Sequence, residues 1–229
     1  MGNISHSDTC CPAGAEECSL IAELHRLRAE CRRLEELSYV DALTGMYNFR
    51  YLQKSLEMEM ERTRRSKLPT GLIMLDLDHF KHINTKYGHE AGNTALAFVG
   101  KILREGIRLI DIPCRYGGEE FALILPSTSL LQALNIAERL RAILSSTPVA
   151  LSGQSVSLTA SFGVAVFRHV DAFSIGDFLH KADQYLYEAK STGRNRVCSQ
   201  PLGPVIPQGV TDEEKEGLFA PHESLEADE

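Results

Sequence analysis

Hydrophobic spacing divides the chain into a leader, a helical stalk, a body and a tail. Residues 1–14 are small and polar, with Pro12 and Gly14, and read as a disordered leader. Over residues 15–40 no proline or glycine interrupts the chain, and Leu20, Leu24, Leu27, Cys31 and Leu34 recur at alternating intervals of four and three. That is a heptad seam about two heptads long. The same spacing serves a helix lying on its own domain; a dimerising stalk is adopted for a functional reason given below.

Residues 41–198 read as a folded body. Tyr51 to Ser66 predicts a charged amphipathic helix, Thr70 to Leu77 (TGLIMLDL) a buried strand, and Thr94 to Arg108 a helix with Leu96, Val99, Ile102 and Leu103 inward. Two short strands, Ile112–Tyr116 and Phe121–Leu125, flank Gly117-Gly118-Glu119-Glu120, which predicts a hairpin. Leu130 to Ser145 predicts another amphipathic helix. Val156, Leu158, Ala160, Phe162, Val164 and Val166 alternate strictly, predicting one long half-buried strand. Ile175 to Ser191 returns to helical period and Gly193 supplies the stop. Strands interleaved with helices predict an α/β or α+β body, with helices on a sheet.

Apolar residues make up 43% of the 229 and charged residues 24%, enough to build a core. No run approaches the eighteen or so apolar residues that span a bilayer, and no basic-then-apolar signal opens the chain. Six cysteines are spread unevenly (Cys10, Cys11, Cys18, Cys31, Cys114, Cys198) and fit no Cys-x-x-Cys zinc spacing. The expectation is a cytoplasmic protein with free thiols, bound neither to membrane nor to DNA. The net charge of −7 excludes a general nucleic-acid coat. Residues 201–229 hold eight acids and one base, so a disordered tail over 199–229 carries the whole excess and residues 1–200 balance. A net charge of −7 therefore says nothing against a nucleotide ligand.

No P-loop, dinucleotide-binding glycine turn, G-x-S-x-G elbow or zincin motif is present. What remains are acids at the ends of elements. Asp76 and Asp78 close a strand with both carboxylates on one face, and Glu119 and Glu120 sit beside Gly117-Gly118. Each pair alone would be an ordinary solvated turn; together they form an oxygen site suited to Mg²⁺, which takes one or two carboxylates and fills its shell with phosphate and water. Glycines there let a ligand approach the backbone. Lys81, Lys190 and Arg194 supply cations of the kind a triphosphate needs. For Lys190 and Arg194 the alternative is a helix-dipole interaction at a C-terminus.

RYGGEEF (Arg115–Phe121) resembles the signature of the GGDEF domain, the diguanylate cyclases, here in a GGEEF form. DALTGMYNFR (Asp41–Arg50), DLDHFKHIN (Asp76–Asn84), YGHEAGN (Tyr87–Asn93), ASFGVAV (Ala160–Val166) and ADQYLYEAKSTGRNRV (Ala182–Val197) resemble its other motifs, in order over about 155 residues. The resemblance implies a purine-nucleotide-cyclase-like palm with a mostly antiparallel central sheet flanked by helices. It implies Mg²⁺ or Mn²⁺ held by Asp76, Glu119, Glu120 and the backbone carbonyl of Leu77. Backbone groups of His79 and Phe80, with Lys81, Lys190 and Arg194, would grip the β- and γ-phosphates. Asn84 would touch the guanine edge, and His89, Asn93, Gly117 and Gly118 complete the implied substrate site. Glu119 and Glu120 would be catalytic, Glu119 assisting removal of the 3′-hydroxyl proton. Two GTP would yield cyclic di-GMP and pyrophosphate. One nucleotide site per body makes only half a product, so two bodies must face each other, which favours the dimerising stalk. Arg108 and Asp111, in an R-x-x-D nine positions before Gly117, with Arg139, match the family's product-inhibition site.

One position departs from the family. Where its usual text ends Gly-Asp, Gly92 is followed by Asn93. A carboxylate accepts from both N1–H and N2–H₂ of guanine, whereas an amide has one acceptor and suits an adenine edge as well. Two readings follow: a cyclase that also uses ATP, giving cyclic GMP–AMP, or guanine still bound through the Asn93 oxygen beside Asn84. A third reading, a silent cyclic di-GMP receptor, is disfavoured because Asp76, Lys81, Glu119, Glu120, Lys190 and Arg194 all stand. A redox or metal sensor in the front cysteines is a weaker fourth.

Overall fold

The computed structural model describes residues 23–30 and 39–201. The leader, most of the predicted tail, and Leu20, Cys31 and Leu34 of the seam lie outside the described residues, as do Cys10, Cys11 and Cys18. A helix α1 covers residues 23–30, with Leu24 and Leu27 exposed. The body follows in the order α2 (Phe49–Ser66), β1 (Thr70–Leu77), α3 (Phe80–Tyr87), α4 (His89–Glu105), β2 (Ile112–Gly117), β3 (Glu120–Leu125), α5 (Leu130–Ser146), β4 (Val149–Leu151), β5 (Gln154–Val156), β6 (Ala160–Phe167), α6 (Ile175–Ser191) and β7 (Val197–Ser199). No helix among the described residues is long and apolar enough to cross a membrane.

Five strands form one sheet in the order β2-β3-β1-β6-β7, antiparallel throughout except for the parallel β6–β7 pair. Helices cover both faces. On one, Ile73, Leu75, Leu77, Leu123 and Phe162 pack with residues of α4 and α5. On the other, Leu72, Met74, Ala122, Ala165 and Phe167 pack with α2 and α6. Cys114 lies in this second layer, where burial pushes its thiol up to about 12 and leaves it a packing residue.

Double coverage corrects the strand expected over Val156–Val166. The ladder breaks at Ser157–Thr159: β5 pairs with β4 in a separate two-stranded ribbon, while β6 is buried at all eight positions and is not half-buried. Small residues make that possible. A Cβ on Gly163 would fall on the backbone of Ala182 and Leu186, so the glycine lets α6 lie against the strand. α4 also begins earlier than its apolar spacing predicts, at His89, and ends at Glu105. Its first turn, His89 to Gly92, gives the core only the small residue Ala91, so apolar periodicity does not mark it.

Candidate active site

β1 is the central strand, and its C-terminal end is where the candidate residues meet. Asp76 lies between Glu120 of β3 and Ser161 of β6 in the ladder. Gly117 pairs with Glu120, which makes Gly118 and Glu119 the two-residue turn, and Gly118 has φ 54, a conformation a glycine adopts without strain. The amide of Leu77 donates to the carbonyl of Glu119 at 3.4 Å, holding the turn against the strand end. Asp76, Leu77, Glu119 and Glu120 are thus neighbours through backbone pairing alone.

The two aspartates share a face but not a task. Asp78 accepts from Thr159 Oγ1 at 2.8 Å, Ser161 Oγ at 2.7 Å and the Asn195 amide at 3.0 Å. It is buried and fully engaged in pinning the start of β6 and the turn after α6, a role that sequence spacing does not distinguish from that of Asp76. Asp76 faces a cation: Lys190 Nζ, from the last turn of α6, stands 2.9 Å from Asp76 Oδ2. The reach across the sheet shows that Lys190 does more than meet its own helix dipole. Burial raises the proton affinity of Asp76 above the usual carboxylate range, with Glu119 and Asp78 adding to it and Lys190 opposing. Burial likewise raises Glu120, and Asp76, Asp183 and Glu119 push it further the same way. Asp183, on α6, is an acid of this neighbourhood that the sequence reading passed over.

After the strand, His79 takes a left-handed conformation, φ 58, and begins α3 without a side-chain cap. The His82 amide donates to the His79 carbonyl at 2.8 Å, while the amides of Phe80 and Lys81, at the start of α3, have no side-chain cap. A cleft of about 390 Å³ opens there, lined by Phe80, Lys81, Asn84, Thr85, His89 and Glu119. It gathers five of the residues proposed from sequence, and adds Thr85. His79 lines a separate cleft of about 280 Å³ with Asp78, His82 and Lys86. A Cβ on Gly92 would fall on Asn84 Oδ1 and come within 3.3 Å of Phe80 Cζ. Gly92 thus leaves Asn84 and Phe80 their places in the cleft, a second signal missed. Asn93 is exposed on α4, one turn beyond His89. Arg194 follows α6 at φ 61, exposed, with its amide bonded to the Ala189 carbonyl at 2.9 Å.

The signature turn is braced from outside. Arg115 donates twice to the Gly118 carbonyl, at 3.0 and 2.8 Å, and pairs with Asp41 at 3.1 Å. Asp41 in turn accepts from the amide and hydroxyl of Thr44. The third group of candidates lies elsewhere in the fold. Asp111 is buried and accepts from the Arg108 amide at 2.8 Å, while Arg108 and Arg139 are exposed and Arg139 donates to the Gly106 carbonyl at 2.5 Å. A larger cleft, about 700 Å³, runs along α2 from Lys54 to Ser66 and is lined by none of the candidate residues.

Among the described residues, no three acidic, histidine or cysteine side chains already converge as an ion cage. The donor set at the strand end still fits a hard divalent cation: carboxylates crowded enough to raise one another's proton affinity, a backbone carbonyl at Leu77, and an ammonium already drawn to one carboxylate oxygen.

Acids at the end of the central strand, a glycine-opened turn and the first turn of α3 thus meet at one end of the sheet. The family model "Diguanylate cyclase, GGDEF domain" matches residues 38–196, and the chain belongs to the GGDEF family. Response regulator PleD of Caulobacter vibrioides is 39% identical over 167 residues, 72% of this chain and 37% of PleD. Diguanylate cyclase VdcA of Vibrio cholerae is 39% identical over 178 residues, 76% of this chain and 51% of VdcA. The chain therefore spans less than two thirds of either relative. The crystal structure of the coiled coil and GGDEF domain of DgcB from Caulobacter crescentus, in complex with c-di-GMP, superposes with a TM-score of 0.67 at 27% identity, covering 79% of this chain and 95% of that one. The α+β, purine-nucleotide-cyclase-like palm expected from sequence is the fold observed.

Proposed function

We propose that the chain is a diguanylate cyclase, joining two GTP into cyclic di-GMP with release of pyrophosphate. The observation that carries this reading is the 390 Å³ cleft, in which Phe80, Lys81, Asn84 and His89 meet Glu119 of the signature turn. The open amides at the start of α3 and the Lys81 ammonium receive the β- and γ-phosphates, with Arg194 and Lys190 closing from the α6 side. Asn84, kept in place by Gly92, bonds the guanine edge. Asp76, Glu119, Glu120 and the Leu77 carbonyl would hold Mg²⁺ or Mn²⁺, which supplies charge neutralisation at the phosphates and acidifies the attacking hydroxyl. Glu119, on the turn, accepts the proton of the 3′-hydroxyl as its oxygen attacks the α-phosphate of the second nucleotide. The α-phosphate–oxygen bond to pyrophosphate breaks as the new ester forms.

One such cleft binds one nucleotide, so two domains must meet face to face. The exposed Leu24 and Leu27 on α1 support pairing through the stalk. Arg108, Asp111 and Arg139 would bind the product as an inhibitor. Incubating the chain with Mg²⁺ and equimolar GTP and ATP, then identifying products by mass, tests the reading; no cyclic dinucleotide at all would overturn it.

A second reading rests on Asn93, which stands where the family's aspartate stands and is exposed beside His89. Its single amide acceptor relaxes base choice and admits ATP, giving cyclic GMP–AMP with cyclic di-GMP. Asn93→Asp would then shift the mixture towards cyclic di-GMP. Pure cyclic di-GMP from both proteins would rule this reading out.

A further inference from the structure

Lys190 and the ion expected at Asp76 compete for one carboxylate. The ammonium lies 2.9 Å from Asp76 Oδ2, and the pair is sheltered, with 31% and 13% of the two side chains exposed. An ammonium this close repels a divalent cation that approaches the same carboxylate. Lys190 has no freedom to leave with its helix, because Gly163 seats α6 against the backbone of β6. Its four-carbon stem must swing instead. Without another anion to receive it, the swing exchanges a sheltered ion pair for a solvated ammonium at the negative end of α6. A triphosphate changes that balance, because it offers the ammonium new oxygens as the metal takes Asp76.

We propose that Lys190 is a place-holder cation: it occupies Asp76 until a metal-bearing triphosphate arrives, then moves from carboxylate to phosphate. The proposal rests on the assignment of Asp76 as a metal ligand in the cyclase reading. Two consequences follow. Before nucleotide binds, the site resists free divalent ions, and metal and nucleotide enter together, each improving the other's binding. The acids of the strand end, which repel one another, also keep a counter-charge between turnovers.

Free Mn²⁺ is the probe, titrated into the full chain without nucleotide and followed by the electron paramagnetic resonance of the unbound ion. Lys190→Met and Lys190→Gln are each expected to bind Mn²⁺ about tenfold more tightly than wild type. Lys190→Arg, which keeps a cation, is expected to stay near wild type, and adding Asp76→Asn to Lys190→Met abolishes the gain. Unchanged or weaker Mn²⁺ binding in the folded neutral variants overturns the proposal. Product analysis of wild type separates this from the reading beneath it. Tighter Mn²⁺ binding with no cyclic dinucleotide would leave the exchange standing and the cyclase reading refuted. Cyclic dinucleotide with unchanged Mn²⁺ affinity would do the reverse.

Discussion

At the end of β1, Asp76 faces a side-chain cation, Lys190, at 2.9 Å; in the turn before β2, Asp111 faces inward and accepts from the backbone amide of Arg108 at 2.8 Å. Burial raises the proton affinity of both carboxyls. Their counter-charges differ in kind. Lys190 sits on a flexible stem, whereas the Arg108 amide is part of the turn that Asp111 itself closes. Asp111 Oδ1 is left buried without a hydrogen-bond partner, and the exposed guanidinium of Arg139 is tied to the Gly106 carbonyl. An acid with a movable partner suits chemistry; an acid bonded to its own backbone suits a fixed frame that presents neighbouring arginines.

Substitution at the two acids tests that contrast most strongly. If Asp76 holds the metal as proposed, Asp76→Asn is expected to lower the rate of pyrophosphate release about 10³-fold or more. Asp111→Asn is expected to act on inhibition instead, raising the cyclic di-GMP concentration for half-inhibition about tenfold. Equal loss of turnover in the two variants would erase the distinction. Glycines give the next largest effect. Gly92→Ala drives a methyl onto Asn84 Oδ1 and is expected to raise KM for GTP about 10- to 100-fold. Gly106→Ala, near the turn, meets the buried end of Leu140 and the Ile102 carbonyl and is expected to cost about 1 kcal/mol in urea unfolding with KM unmoved. A smaller effect is expected of Arg115→Lys, which keeps the charge but loses the fork that spans Asp41 and Gly118. Denaturant unfolding should show a loss of about 0.5–1 kcal/mol.

Much of this site was legible in the sequence because it is carried by contiguous motifs. TGLIMLDLD ends a strand, GGEE is a turn, and the ladder that joins them follows from antiparallel pairing. β1, α6 and the β2–β3 hairpin were placed almost to the residue. The strand expected over Val156–Val166 was misjudged because alternation describes a sheet with one wet face, and this sheet is covered on both by helices. What stayed hidden depends on pairs distant in sequence. Lys190 reaching Asp76, Asn195 bonding Asp78 and Gly163 beneath α6 are each set by how α6 crosses the sheet. No local spacing encodes that. Asp76 and Asp78 look alike in sequence, and only their partners, a lysine in one case and two hydroxyls with an amide in the other, tell them apart.

The smallest expected effect is a change in how stability varies with pH, and it bears on the turn alone. Asp111 holds its proton more tightly folded than unfolded, because burial outweighs the Arg108 amide and the charges of Arg108 and Arg139. As pH rises from the ordinary carboxylate pKa to the raised one, the unfolded chain releases this proton first. The folded state then binds more protons than the unfolded, so stability falls with rising pH over that interval and levels off above it. A carboxamide in place of this carboxyl cannot ionise, so Asp111→Asn removes this share of the slope, while the shares of Asp76 and Glu120, raised for the same reason, remain. Urea unfolding of wild type and Asp111→Asn between about pH 3.5 and 7 measures the difference, with the stability of wild type declining relative to that of the variant as pH rises. Parallel curves would mean that Asp111 titrates as a solvated carboxylate, and that its link to the Arg108 amide opens in solution.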